Sequence, residues 1–396
     1  MANSQTPTYN LQTLALPVEI IIVVLKYTIR QYPDTIVCVL STCSLFYNIS
    51  QNILHQELAF TSLSQLHRFT QALSRRQDNC YAPEVKPYLV CSPRSLSLDV
   101  AGGASWILQS DSFDGSYRRV GTWDLLREAV KAMIADLLKT ANLSVTRPNQ
   151  LVRDEHTTPW DPTPKEKLAI ESVRLRLNSH AQDAKYVIYD ALRELDPISF
   201  TWTGPDPPHH FSIAIVRDAV PPLFLALSTY TQLTRIKLTN ISFPEDSESS
   251  ETSIGRFELP FIPTLQFFHL GQSTFLAART IARFVLKCID PERNVGGAST
   301  SPDSAVDSPH VQGVSFRPAK QPSIEEIRLV DVYEGSIWGI RLRMPQIINA
   351  ALALLEMDQQ FESGNSTKED EVREAIMKIV KVEVETERIE GGDRGI

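Results

Sequence analysis

One serine and one pair of histidines are the residues whose surroundings invite a chemical reading. Phe267-Phe268-His269-Leu270-Gly271-Gln272-Ser273-Thr274-Phe275 reads as an apolar strand running into Gly-x-Ser and then a helix. That is the layout of a nucleophile elbow, where a serine stands at a sharp strand-to-helix turn and a histidine takes its proton. The elbow needs a small residue two places after the serine, but Phe275 stands there, and the only histidine after Ser273 is His310. Ser273 is therefore read as an N-cap for the following helix, its hydroxyl accepting from a free backbone N–H. Serine hydrolysis through Ser273 is kept as an alternative.

His209 and His210 lie with Asp206 in Gly204-Pro205-Asp206-Pro207-Pro208-His209-His210-Phe211. Adjacent histidines on an extended chain point to opposite sides, and no second cluster with ligand spacing accompanies them. No metal is assigned. Trp202, His209, His210 and Phe211 are grouped instead as a candidate substrate-recognition loop. The chain lacks Gly-x-x-x-x-Gly-Lys-Ser/Thr, Gly-x-Gly-x-x-Gly and His-Glu-x-x-His, the patterns that grip phosphates, dinucleotides and catalytic zinc. No cofactor and no catalytic residue are assigned, and the chain is read as a non-enzyme.

The composition bounds the rest. The 396 residues are 42% hydrophobic and 22% charged, with a net charge of −8, so nothing draws the whole chain to nucleic acid or acidic lipid. Much of that charge is local: from Glu356 onward 12 acids stand against 6 bases. The cysteines are Cys38, Cys43, Cys80, Cys91 and Cys288, an odd number with no Cys-x-x-Cys. A reducing, intracellular compartment, cytoplasmic or nuclear, is the expectation. No membrane span is expected, because the N-terminal apolar run is short of the ~20 residues a crossing needs and is bracketed by Glu19 and Lys26.

The elements that would position a site begin with Leu16-Pro17-Val18-Glu19-Ile20-Ile21-Ile22-Val23-Val24-Leu25. Proline suits the start of a helix, where its missing N–H has no partner to lose. The helix that follows is apolar on nearly every side, so it must be covered on nearly every side. Two short segments, 34–42 and 44–60, supply part of that cover, and the remainder calls for a partner protein.

These residues resemble an F-box of the fungal type. The match rests on Leu16-Pro17-Val18-Glu19-Ile20 and on Val37-Cys38-Val39-Leu40-Ser41-Thr42-Cys43-Ser44-Leu45-Phe46, with Cys43-Ser44-Leu45-Phe46 departing from the family's usual Cys-Arg-x-aromatic. The resemblance implies docking on the Skp-type adaptor of a cullin ligase core, with a substrate-binding domain behind the box. It places the adaptor contacts on Leu16, Pro17, Ile20, Ile21, Val24 and Leu25, and on Leu40, Leu45 and Phe46. A protein substrate, unidentified, would be held by the C-terminal domain; a non-ligase interaction scaffold with an F-box-like cap is the alternative.

Beyond the box, short alternating runs are each followed by a helical stretch. Expected strands centre on Leu96, Val145, Leu175, Phe200, Ile236, Phe267, Leu329 and Val382. Leu233-x-x-Ile236-x-Leu238-x-Asn240-Ile241 resembles a leucine-rich-repeat strand with its asparagine one place early. The fold class expected is α/β: a three-helix F-box-like unit followed by an irregular strand–helix, leucine-rich-repeat-like solenoid. An ordinary doubly wound α/β domain is the alternative. The expected division is 11–62 for the box, 63–90 for a helical linker and 91–388 for the repeat domain. A disordered insertion is expected near 290–320, and a flexible tail over 389–396.

Overall fold

A computed structural model describes residues 16–78, 88–100, 106–110, 117–145, 167–180, 187–205, 213–245, 257–289, 324–358 and 366–385. The insertion expected near 290–320, the tail and His209, His210, Phe211 and His310 lie outside the described residues. The described residues form two units. The first comprises residues up to Leu58 together with Leu89–Pro93, and the second comprises Ala59–Tyr88 and everything from Arg94 onward.

Three α-helices make the first unit: α1 (Val18–Gln31), α2 (Ile36–Thr42) and α3 (Ser44–Gln56). Pro17 caps α1, and its carbonyl accepts the first helical bonds from the N–H groups of Ile20 and Ile21 at 3.0 and 3.2 Å. The core is small. Leu25, Ile29 and Ile53 are buried, with Ile21, Ile36, Val39, Phe46, Ile49 and Leu54 packed around them. Arg30 forks onto a Glu57 carboxylate oxygen with N–O distances of 2.9 and 2.5 Å. Leu89–Pro93 returns to α3, where the Val90 N–H donates to His55 Nδ1 at 3.2 Å.

β1 (Glu57–Phe60) carries the chain from the first unit into the second. A capping box then starts α4 (Leu63–Asp78): Ser62 Oγ accepts from the Gln65 N–H at 3.2 Å, and Gln65 Oε1 accepts from the Thr61 N–H at 2.8 Å. Within the stretch expected as a helical linker, 63–90, the described helix α4 groups with the second unit and packs on α5 (Thr122–Val145), whereas Leu89 and Val90 group with the first. Val145, expected in a strand, is the last residue of α5. Its apolar residues continue the period of the helix before it, and that local period prevails over the short alternating run. A hairpin of β3 (Trp106–Ser110) and β4 (Tyr117–Gly121) precedes α5 and was not expected.

The fold is α/β. Its mostly parallel sheet has eight strands in the order β1, β2 (Ser95–Asp99), β5 (Leu168–Arg176), β6 (Leu195–Thr203), β7 (Arg235–Thr239), β8 (Phe267–Ser273), β9 (Glu326–Val332) and β10 (Val380–Glu383). Every pairing from β2 to β10 is parallel. Apart from the hairpin, neighbours in space follow the order of the chain. A doubly wound sheet instead reverses its order at a switch point.

Helices α6 (Val187–Leu192), α7 (Val220–Leu227), α8 (Ala278–Ile289), α9 (Met344–Asp358) and α10 (Ser366–Ile379) connect the strands. Consecutive helices pack together as α4 on α5, α5 on α6, α6 on α7, α8 on α9 and α9 on α10. Parallel strands need such crossovers, and the buried face of the sheet needs a cover. That face is built from register rows. Leu96, Val173, Phe200, Ile236, Phe268, Ile327 and Val380 are successive partners across the sheet, and all are buried.

The same backbone devices recur along the strands. At two strand starts two consecutive N–H groups share one carbonyl, Gln266 and Phe267 on Thr234 O and Glu325 and Glu326 on Gln266 O, and inside β5 Glu171 and Ser172 share Arg94 O in the same way. At the other end Asn240, Gln272 and Asp331 have left-handed backbones, with φ of 60°, 48° and 50°. Each follows Thr239, Gly271 or Val330, which are register partners, so the three stand side by side, Asn240 just after β7, Gln272 on β8 and Asp331 on β9. Asn240 Nδ2 donates to Gln272 Oε1 at 2.6 Å. Before Asn240, immediately after β6, stands Gly204, where a Cβ would lie 2.9 Å from Asn240 Oδ1. Only glycine allows that approach.

Candidate functional site

In the first unit the sequence sets more apolar side chains on α1 than its two companions cover. Leu25 is buried, at 3% exposed, and Ile21, Leu40 and Phe46 are half-buried. The other residues assigned to adaptor contact face outward: Leu16 at 55%, Ile20 at 48%, Val24 at 54% and Leu45 at 46% exposed, with Pro17 exposed as well. The nine residues therefore divide between a core-forming set and a surface set. Val18, Val23 and Tyr27 on α1 and Val37 on α2 join the surface set, although the sequence reading did not single them out. The signal was available in the unbroken apolar run, but which residues faced inward required the packing of α3. Burying an aliphatic side chain of this size contributes about 1.5–3 kcal/mol, a contribution the exposed set does not make within the described residues of this unit.

The residues singled out for chemistry are placed differently. Trp202, assigned to a recognition loop, is 0% exposed. Its ring lies on Trp123, with centroids 5.0 Å apart, and its Nε1–H donates to Leu177 O at 3.0 Å. This corrects the sequence reading. In the strand alternation of β6, Phe200 and Trp202 share the covered face, and a large ring there belongs to the core. Ser273 is the last residue of β8, whereas α8 starts at Ala278, so Ser273 does not cap that helix. Its hydroxyl is sealed from solvent, 3.4 Å from the Gly271 carbonyl. The cap comes from Glu334, whose Oε1 accepts from the Ala278 N–H at 3.1 Å. Among the described residues no group of three or more His, Cys, Asp or Glu is arranged to hold a metal. None of the described helices is long and apolar enough to cross a membrane.

A second surface feature emerges only from the register of the sheet. Arg174, Thr201, Lys237, His269, Arg328 and Lys381 are successive partners on β5, β6, β7, β8, β9 and β10. Their neighbours in sequence on β5 to β9 are buried, so this row lies on the opposite, open face. Toward β10 the cations are paired. Arg328 reaches Glu383 at 2.6 Å and Glu385 at 2.8 Å, and Lys381 pairs with Glu326. The hydrogen bond from Arg328 holds Glu383 below the usual carboxylate range. Arg174 and Lys237 are exposed and make no salt bridge or side-chain hydrogen bond among the described residues. Arg235, two places before Lys237, lies over the Phe267 ring at 5.0 Å.

His269 sits within this row, and its pKa is pushed down to about 4 by burial and by the positive charges of Lys237 and Arg328, against the opposing pull of Glu383 and Glu326. Its ring is thus expected to stay neutral at pH 7. A histidine whose folded pKa is depressed stabilises the fold fully above its unfolded value of 6.5, and that contribution is lost as pH falls from there toward about 4. Lys237→Met removes one of the depressing charges and should raise the pKa. An NMR titration of the His269 ring is the check; titration near 6.5 in the wild-type chain would refute the assignment.

Comparison of the chain with protein-family models, with curated proteins and with solved structures finds no match in any of the three.

Proposed function

We propose that this chain is a substrate-recognition subunit of a Skp–cullin–F-box ubiquitin ligase. In this reading the first unit binds the Skp-type adaptor through its outward apolar face, and the second holds a protein substrate. The chain performs no bond chemistry itself; it presents the substrate's lysines to the conjugating enzyme carried by the ligase core. The observation that carries the reading is the exposed set Val18, Ile20, Val23, Val24 and Tyr27 on one helix, with exposed Leu16 just before its Pro17 cap, together with the Leu-Pro-x-Glu-Ile resemblance at its start. A three-helix unit with a small buried core and a large outward apolar face is what a docking module requires. The finer reading of the second unit as an irregular leucine-rich-repeat-like solenoid draws support from three features. They are the chain-ordered sheet, the repeated double donation at strand starts and the left-handed row at strand ends.

The test is co-purification of the full chain with a Skp-type adaptor. Leu16→Ala combined with Pro17→Ala should weaken that complex by about tenfold or more, since a few central apolar side chains carry most of such an interface's energy. Both residues are exposed, so the circular dichroism spectrum and melting temperature should stay near wild type. Adaptor affinity unchanged in the double variant would remove these residues from the interface. A folded wild-type chain that binds no Skp-type adaptor would remove the ligase reading itself.

A further inference from the structure

We infer that the open face of the sheet over β5 to β7 holds an extended, carboxylate-bearing segment of a protein partner, anchored by Arg174 and Lys237. The inference rests on the reading above only in that the second unit is the part that holds a protein. Its test uses no ligase adaptor, so the two readings fail separately.

The argument begins with charge. The chain as a whole carries −8, yet this row collects cations. Those toward β10 are neutralised by Glu326, Glu383 and Glu385, which leaves the unpaired positive charge on β5 and β7. Two exposed cations with no acidic partner among the described residues repel one another, whereas an anionic ligand turns both into attractive contacts. Between them in the row stands Thr201, half-buried, whose hydroxyl can donate to the same ligand. Arg235 on its Phe267 platform extends the positive surface along β7.

Geometry then selects the form of the ligand. Neighbouring strands are about 4.8 Å apart, so Arg174 and Lys237, on alternate strands, are separated by about 9.6 Å. A polyproline-II segment turns once in three residues and rises about 3.1 Å per residue, which sets side chains i and i+3 on one side about 9.3 Å apart. A segment of the form Glu-x-x-Glu laid across the strands therefore meets both cations. In a β-extended segment, i and i+3 point to opposite sides and i and i+2 are only about 6.8 Å apart.

The experiment is fluorescence anisotropy on the full chain at low salt with labelled synthetic peptides of about twelve residues. One peptide is a Glu-Ala-Pro repeat; a second carries the same number of glutamates at every second position, and a third replaces glutamate by glutamine. The Glu-Ala-Pro peptide is expected to bind best, to weaken with salt, and to lose about tenfold in affinity to Arg174→Glu with Lys237→Glu. The milder pair Arg174→Gln with Lys237→Gln should lose affinity in the same direction with an unchanged circular dichroism spectrum. The His269 ring is expected to titrate at higher pH in the complex, because the bound carboxylate offsets the Lys237 charge. Equal binding of the glutamine peptide, or binding unaffected by either pair of substitutions, would overturn the inference. So would capture of a single-stranded oligonucleotide in preference to every peptide, which would assign the row to nucleic acid.

Discussion

Trp202→Ala is expected to destabilise the sheet-bearing unit by about 3–5 kcal/mol, the range for removing a large aromatic side chain from a packed core. Trp202 is fully buried, its ring rests on Trp123 from α5, and its Nε1–H satisfies the carbonyl of Leu177 at 3.0 Å. Truncation thus opens a cavity between sheet and helix and orphans a backbone acceptor at the end of β5. The two losses add, because a buried carbonyl without a donor has no water to replace it. Trp202→Phe should cost less, since it keeps part of the ring contact while losing the N–H and part of the ring volume. Urea unfolding followed by circular dichroism is the measurement. A recognition residue on a surface loop would instead leave the midpoint within about 0.5 kcal/mol of wild type, and that outcome would refute the buried placement.

Asp331→Ala is the second change with a large expected effect. Asp331 is 1% exposed at the end of β9, and its Oδ1 lies 3.5 Å from an Arg341 Nη that is itself mostly buried. Its other oxygen faces the Glu385 N–H at 3.4 Å. Removing Asp331 takes a carboxylate from beside the buried Arg341, which keeps its Nε–H donation to the Tyr333 hydroxyl at 3.1 Å, so the expected loss is about 1–3 kcal/mol. The backbone adds to this. Asp331 has φ of 50°, a conformation that aspartate and asparagine tolerate better than alanine. Asp331→Asn should therefore be milder than Asp331→Ala, because it keeps the tolerated backbone and one acceptor. In a double-mutant cycle, Arg341→Met should cost less in the Asp331→Ala background than in the wild-type chain, since the contact between the two charges is then already lost. Additive effects of the two substitutions, or a loss below about 1 kcal/mol for Asp331→Ala, would show that the pair is not coupled in the folded chain.

These two positions also show what was legible before folding. The strand holding Asp331 was read from the alternation of Ile327, Leu329 and the apolar residues after them, and the structure has a strand at Glu326–Val332. The left-handed turn at Asp331 was not read, because nothing in Val330-Asp331-Val332 marks a turn. It follows from the two earlier strands that bend at the same register position, at Asn240 and Gln272. For Trp202, the dipeptides around it read as a short strand entering a proline-rich loop, and the loop drew the tryptophan outward in the interpretation. Its true partners are Leu177, 25 residues earlier, and Trp123, from a helix three elements before it.

By itself the sequence determined the α/β class, the apolar first helix with Pro17 at its head, and the approximate place of most strands and helices. Each of those depends on periodicity within a dozen residues, which the chain displays locally. Tertiary structure decided the rest. It buried Leu25 while leaving Ile20 and Val24 outside, since only the approach of α3 distinguishes sides of a helix that is apolar all round. It carried α5 through Val145 and sealed Ser273 within the sheet. It also aligned Arg174, Lys237 and His269 in one row, because parallel register pairs residues from distant segments and no local pattern reports which ones meet.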